Sequence, residues 1–246
     1  VEALNISDTL CDPEHINPMP PLTVDEPTVS MVFQVNDSPF CGQEGKYVTS
    51  RNIKDRLEQE LLHNVALRVE DGESADKFKV SGRGELHLSV LIETMRRENY
   101  ELAVSKPQVI QREVDGVIHE PFEIVVIDIE EQHQGAIMEV IGTRKGNLSN
   151  MVPDSKGRVR LDFVIPTRGL IGFRSEFMTL TSGGGIISSV FSHYGLRSGE
   201  DINSRRNGVL VSMVSGKSLG FSLFNLQPRG RLFINPNEAI YEGMII

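Results

Sequence analysis

Tryptophan is absent from this 246-residue chain, cysteine occurs only twice, and aromatic side chains make up 6% of it. Any core must therefore be built mainly from Val, Ile, Leu and Met. Cys11 and Cys41 are too few for a disulfide scaffold and fit a reducing compartment such as the cytoplasm. No apolar run approaches the roughly 20 residues of a membrane span. The opening VEALNISDTL lacks the basic and apolar regions of a signal peptide. It also lacks an initiator Met, and the closing YEGMII reads like the middle of a strand, so the expectation is a fragment of a larger protein. Apolar residues at 39% and charged residues at 24% exclude a disordered tail, a collagen-like repeat and a coiled coil. At roughly 100–200 residues per domain, the length predicts two domains with room for a third piece.

The net charge is −9, but it is unevenly spread. Residues 1–123 hold 12 basic and 23 acidic side chains, whereas residues 124–246 hold 13 and 11. Between 144 and 231 there are 13 basic and 5 acidic residues, a local excess of eight positive charges. A basic region on an acidic protein is a footprint for a polyanion, because bound phosphates release counterions. Scattered solubilising arginines are the alternative.

The same unit occurs twice. Thr28 to Asn36 reads as a strand bounded by turn residues. Ile53, Leu57 and Leu61 then fall on one helix face. Strands follow at 65–70 and 77–81, and Leu88, Leu91, Ile92 and Met95 mark an amphipathic helix. Tyr100 to Val104 closes the β-α-β-β-α-β order. It repeats with a strand at 122–130, a helix through Ile137, Val140 and Ile141, and a short strand from Asn147. Val159, Leu161, Phe163 and Ile165 then alternate with Arg158, Arg160 and Asp162, the pattern of a half-buried strand. A helical stripe of Leu170, Phe173, Phe177 and Leu180 is stopped by the glycines at 183–185, and a last strand starts at Ile186. This order predicts an α+β protein with two tandem ferredoxin-like domains, near 28–105 and 120–192, each a four-stranded antiparallel sheet with two helices on one face. After Tyr194 the expectation is a small β-rich region. Its strands are Val209 to Val214 and Leu219 to Phe224 around a turn at 215–218, then two more from Arg229 and from Ala239.

Enzyme chemistry is thin. Ser215-Gly216-Lys217-Ser218 resembles the end of a phosphate-binding loop, but Val211 stands where a glycine is required and the segment is predicted to link two strands. Gly82-Arg83-Gly84 precedes a helix, where free N–H groups can hold an anion. A tight turn that allows close packing is the simpler use. The six histidines show no metal-ligand spacing, and His87 reads as a packed surface residue. No serine-histidine-aspartate order stands out. The residues argue for a binding and scaffolding piece, with no catalytic, cofactor-binding or metal-binding residue.

The stretch SGRGELHLSVLIETMRRENYELAVSKPQVIQRE, Ser81 to Glu113, resembles the third domain of the translational GTPases related to elongation factor G. VNDSPFCGQEGKYVTSR (Val35 to Arg51) and IPTRGLIGFRSEFMTLTSG (Ile165 to Gly183) resemble the BipA/TypA family in particular. The chain passes straight from Glu113 into the second unit, as BipA/TypA and LepA do, and the pattern at 35–51 favours BipA/TypA. Asn207-GVLVS and Tyr241-EGMI match that family's own C-terminal domain.

The resemblance implies a division into four parts: 1–24, the tail of a β-barrel second domain; 25–113, an elongation-factor-G-like third domain; 114–194, a fifth domain; and 195–246, a truncated β-rich C-terminal domain. It implies a parent that hydrolyses GTP on the 70S ribosome in a stress- or assembly-related role, with GTP and Mg²⁺ held upstream of residue 1. It also implies contacts with large-subunit rRNA near the stalk base and with the acceptor end of tRNA, and gives no role to DNA or a membrane. A monomer is expected.

Loop-borne bases are the RNA-binding candidates, because loops carry binding. They are Arg144 and Lys145 at a helix end, Lys156 in the 154–157 turn, and Arg205 and Arg206 before the predicted hairpin. Lys217 is placed at its tip, and Arg229 and Arg231 flank Gly230. Arg158 and Arg160 would point outward as a stripe on the free sheet face. For each alone, a solubilising charge or a helix C-cap contact is an equal alternative. A competing reading is a small-molecule sensor that pairs its two sheets and holds a metabolite at the seam.

Overall fold

The computed structural model describes residues 8–20, 24, 26–197, 199 and 208–246. The chain separates into two compact units, Val1–Asn203 and Ser204–Ile246.

In the first unit, β1 (Val29–Gln34), α1 (Ser50–Leu61), β2 (Arg68–Asp71), β3 (Lys77–Gly82), α2 (Glu85–Arg97) and β4 (Ala103–Val104) form one antiparallel sheet in the order β2-β3-β1-β4. The first and third strands are central and the second and fourth are edges, as the ferredoxin-like order requires. A short β5 (Gln108–Val109) also pairs with β1. Alternation does the folding: Val29, Met31 and Phe33 of β1 and Phe78 and Val80 of β3 point to one face. There they meet Ile53 and Leu57 of α1 and Leu88, Leu91 and Met95 of α2. Thr49 caps α1, its hydroxyl accepting from the Asn52 N–H at 3.3 Å.

The second sheet repeats the plan. After β6 (Arg112–Val114), the strands β7 (Val117–Glu130), β8 (Asn147–Pro153), β9 (Arg158–Pro166) and β10 (Ile186–Leu196) lie in the order β10-β7-β9-β8. The helix α3 (Gln134–Thr143), the single turn α4 (Thr167–Leu170) and α5 (Phe173–Leu180) cover one face. Val125, Ile127 and Ile129 alternate with Val159, Leu161, Phe163 and Ile165 under Ile137, Ile141, Phe173 and Phe177. The two ferredoxin-like domains are therefore as the sequence predicts. The helical stripe at 170–180 is interrupted, however. Gly172 adopts φ +71°, a left-handed conformation natural to glycine, so α4 and α5 are separate pieces.

The second unit differs more. A two-residue ladder joins β11 (Gly216–Lys217) to β12 (Ala239–Ile240), and Val211 bridges Ile245. The Leu219–Phe224 segment is not a strand: α6 (Gly220–Leu226) is a helix that buries Leu223. The Ser218 hydroxyl explains the switch. It donates to the Asn235 carbonyl at 2.6 Å and accepts from the Glu238 N–H at 3.0 Å, fixing the chain against the 235–238 turn just before the helix starts. Lys217 is consequently in the ladder opposite Ala239 and not at a hairpin tip.

Candidate nucleic-acid interface

Arg144 caps the C-terminus of α3 and turns inward. Its guanidinium donates to the carbonyls of Gly169 at 2.8 Å and Ile171 at 3.2 Å, pairs with Glu176 at 2.7 Å, and lies over the Phe173 ring. These carbonyls belong to the end of the α4 turn and its C-cap. Arg144 is thus a clamp between α3 and the α4–α5 junction, with a side chain only 14% exposed. Lys145 beside it is exposed, has φ +66°, and forms no ion pair among the described residues.

The β8–β9 hairpin is organised by Asp154. Its Oδ1 accepts from the N–H groups of Lys156 and Arg158, both at 2.8 Å, and these bonds hold the carboxyl below its usual range. Lys156 stands exposed at the tip. Lys145 and Lys156 flank a strand of seven residues, which at about 3.3 Å per residue separates them by some 25 Å. They do not form one patch.

The sheet face opposite the helices carries Arg158 and Arg160, as alternation requires, but each has an acid beside it. Arg158 Nε donates to Asp128 at 2.6 Å, and Arg160 Nε to Asp162 at 2.9 Å. This face is charge-balanced. Arg229 and Arg231 are exposed in the second unit, as is Lys217. Arg205 and Arg206 lie outside the described residues. The structure therefore leaves Lys145, Lys156, Lys217, Arg229 and Arg231 as exposed bases without ion-pair partners among the described residues, and commits Arg144, Arg158 and Arg160 to internal pairs.

Neither glycine motif forms a phosphate cradle. A helix does follow Ser218, contrary to the expected strand, but Lys217 is in the β11–β12 ladder and the Ser218 hydroxyl is engaged on both sides. At the 82–84 turn, the Arg83 N–H donates to His87 Nδ1 at 3.3 Å, and a Cβ on Gly82 would come within 2.8 Å of that same nitrogen. His87 Nε2 then donates to Asn64 Oδ1 at 3.1 Å. Burial first, and the Arg83 charge second, lower the His87 pKa. Among the described residues no three His, Cys, Asp or Glu side chains are grouped to hold a metal ion, and no helix is long and apolar enough to cross a membrane.

Two features escaped the sequence reading. One is the 36–47 loop, gathered around the Glu101 carboxylate. Its oxygens accept from the N–H groups of Gly42 (2.9 Å), Glu44 (3.3 Å) and Gly45 (3.1 Å) and from Asn36 Nδ2 (2.7 Å). The Gly42 N–H is the largest of the influences that lower the Glu101 pKa. Only the glycines at 42 and 45 hinted at such a cradle. The other is the seam between the two ferredoxin-like domains. It is lined by the first turn of α2, by α4 and α5, and by β10, and not by paired sheets.

Two split β-α-β domains in tandem, followed by a small third element, define a C-terminal module of the elongation-factor-G type. Residues 117–206 match the family described as elongation factor G C-terminus, and residues 207–246 match the TypA/BipA C-terminal domain. The chain belongs to the BipA/TypA family. It is 65% identical over 244 residues to "Large ribosomal subunit assembly factor BipA" of Salmonella typhimurium LT2, a match that covers 99% of this chain and 40% of that protein. The same figures hold for the Escherichia coli K12 protein of that name. The Haemophilus influenzae protein is 63% identical over 243 residues, 99% of this chain and 39% of the relative. The chain thus spans about two fifths of the length of these curated relatives.

Proposed function

We propose that this chain is the ribosome- and RNA-docking part of a cytoplasmic translational GTPase that acts in ribosome assembly or stress-responsive translation. The identity of 65% across 99% of the chain to large-subunit assembly factors carries this reading. The parent protein hydrolyses GTP, with Mg²⁺, in a domain outside these residues; this chain does neither. Its second ferredoxin-like domain contacts large-subunit rRNA near the stalk base, and residues 195–246 approach the acceptor end of a tRNA. The protein acts as a monomer, with the four-part division at 24, 113 and 194.

Five exposed and unpaired bases support RNA contact: Lys145, Lys156, Lys217, Arg229 and Arg231. Arg205 and Arg206 join them from the sequence. The five described bases are loop-borne or terminal to short elements, so their contacts fall on phosphate and sugar and read shape over sequence. Co-sedimentation of the chain with 70S ribosomes across a salt series tests the reading. Pelleting that weakens with salt, and is lost when Arg205, Arg206, Lys217, Arg229 and Arg231 become Glu, is expected. Absence of pelleting at low salt by both this chain and the longer parent would overturn it.

A further inference from the structure

The seam between the two ferredoxin-like domains forms an open cleft of about 1050 Å³. Its walls hold exposed apolar side chains from both sides: Leu86 and Val90 of α2, Met178 of α5 and Val190 of β10. Such a group of apolar side chains lining one concavity, with a few converging polar groups, has the composition of a ligand site.

The polar groups are distributed by charge. Glu123 lines the cavity with 6% of its surface exposed, and no Lys, Arg or His pairs with it among the described residues. The hydroxyls of Ser189 and Thr167 lie near its carboxyl. A buried carboxylate without a cation is costly, so the site favours either a proton or an incoming ammonium. The solvent-exposed charges of opposite sign are Arg83, just before α2, and Arg174 in α5, one on each side of the seam. The cavity's other acids are already engaged: Glu85 with the Gly172 N–H, and Glu26 with Arg112. Neither arginine has an ion-pair partner among the described residues. The cleft therefore offers a buried carboxyl group, an apolar wall and an exposed pair of cations.

We infer that this seam binds a small zwitterion of the ω-amino-acid type, its ammonium on Glu123 and its carboxylate toward Arg83 and Arg174. The site is separate from the RNA-facing bases and does not depend on their role. It differs from a sheet-to-sheet sensor, because a helix end, not a sheet, forms its first-domain wall.

6-Aminohexanoate is the probe, titrated into the full 246-residue chain and followed by amide chemical shifts. The expected result is saturable shifts at Glu123, Ser189, Ser89 and Gly172, with weaker binding of hexylamine and of hexanoate, each of which satisfies only one end. Glu123→Gln should weaken 6-aminohexanoate about tenfold or more, because a charge-assisted contact is lost. Arg83→Gln with Arg174→Gln should weaken it while leaving hexylamine unchanged. The Gln variant keeps the shape of the side chain, and its unfolding transition reports separately that it folds. Non-saturating shifts, equal affinity for hexanoate, or indifference to Glu123→Gln would each overturn the assignment.

Discussion

Glu85 Oε2 accepts a hydrogen bond from the backbone N–H of Gly172 at 2.8 Å, joining residues 87 positions apart. Glu85 opens α2 in the first domain, and Gly172 is the left-handed residue that opens α5 in the second. One carboxylate thus satisfies an orphan N–H of a neighbouring domain's helix, where its charge also favours the dipole. Glu85→Ala should cost about 1 kcal/mol and speed hydrogen exchange at the Gly172 amide. Unchanged exchange there would show that the bond does not persist in solution.

Arg144 and Lys145 are neighbours in sequence with opposite structural duties. Arg144→Ala breaks two carbonyl contacts and an ion pair in a largely buried clamp, an expected loss of about 2–3 kcal/mol in chemical denaturation. Lys145→Gly should instead stabilise by about 0.5–1 kcal/mol, since its φ of +66° suits glycine better. If the lysine contacts RNA, the same substitution flattens the salt dependence of ribosome binding by about one counterion.

Burial raises the Glu123 pKa above its reference of 4.5. Stability from this group is fully present below pH 4.5 and is lost as pH rises through the higher folded value. Glu123→Gln should therefore match the parent at pH 4 and exceed it in stability at pH 7–8. Urea unfolding across that range gives the answer, and a pH-independent difference would contradict the burial argument.

Glu101 behaves in the opposite sense. Its lowered pKa contributes stability above pH 4.5 that is lost as pH falls through the folded value. Glu101→Ala removes four acceptor contacts and should open the 36–47 loop to proteolysis while costing about 1–2 kcal/mol. Cleavage confined to that loop is the signature; general proteolysis would indicate global unfolding instead.

In the second unit, Leu223→Ala should cost about 2–4 kcal/mol, because the side chain is buried on the inner face of α6. Phe224→Ala should change little, since its ring is 68% exposed. A strand would instead place 221 and 223 on one face, yet Phe221 is exposed and Leu223 buried.

Legibility followed periodicity. Val125, Ile127 and Ile129 opposite Val159, Leu161 and Phe163 repeat every second residue, and Leu88, Leu91 and Met95 repeat at the helical spacing. Both sheets and their helices were therefore readable. α6 was not, because Leu219, Phe221 and Leu223 alternate like a strand while the deciding contact, Ser218 with the 235–238 turn, is made far along the chain. The basic candidates were visible as residue types only. Nothing in the sequence shows that Arg144 reaches Gly169 and Ile171, or that Asp128 and Asp162 balance Arg158 and Arg160. The Glu123 site depends on two domains meeting, which local patterns do not encode.

The five residues from Gly169 to Phe173 act as a shared junction. Arg144 grips the carbonyls of the first and third, the fourth supplies the N–H that Glu85 holds, and the fifth packs in the second core. These bonds join the two domains beside the Glu26–Arg112 pair and the stacking of Arg112 on Tyr194. A molecule wedged beside this junction would press on residues that belong to both domains at once.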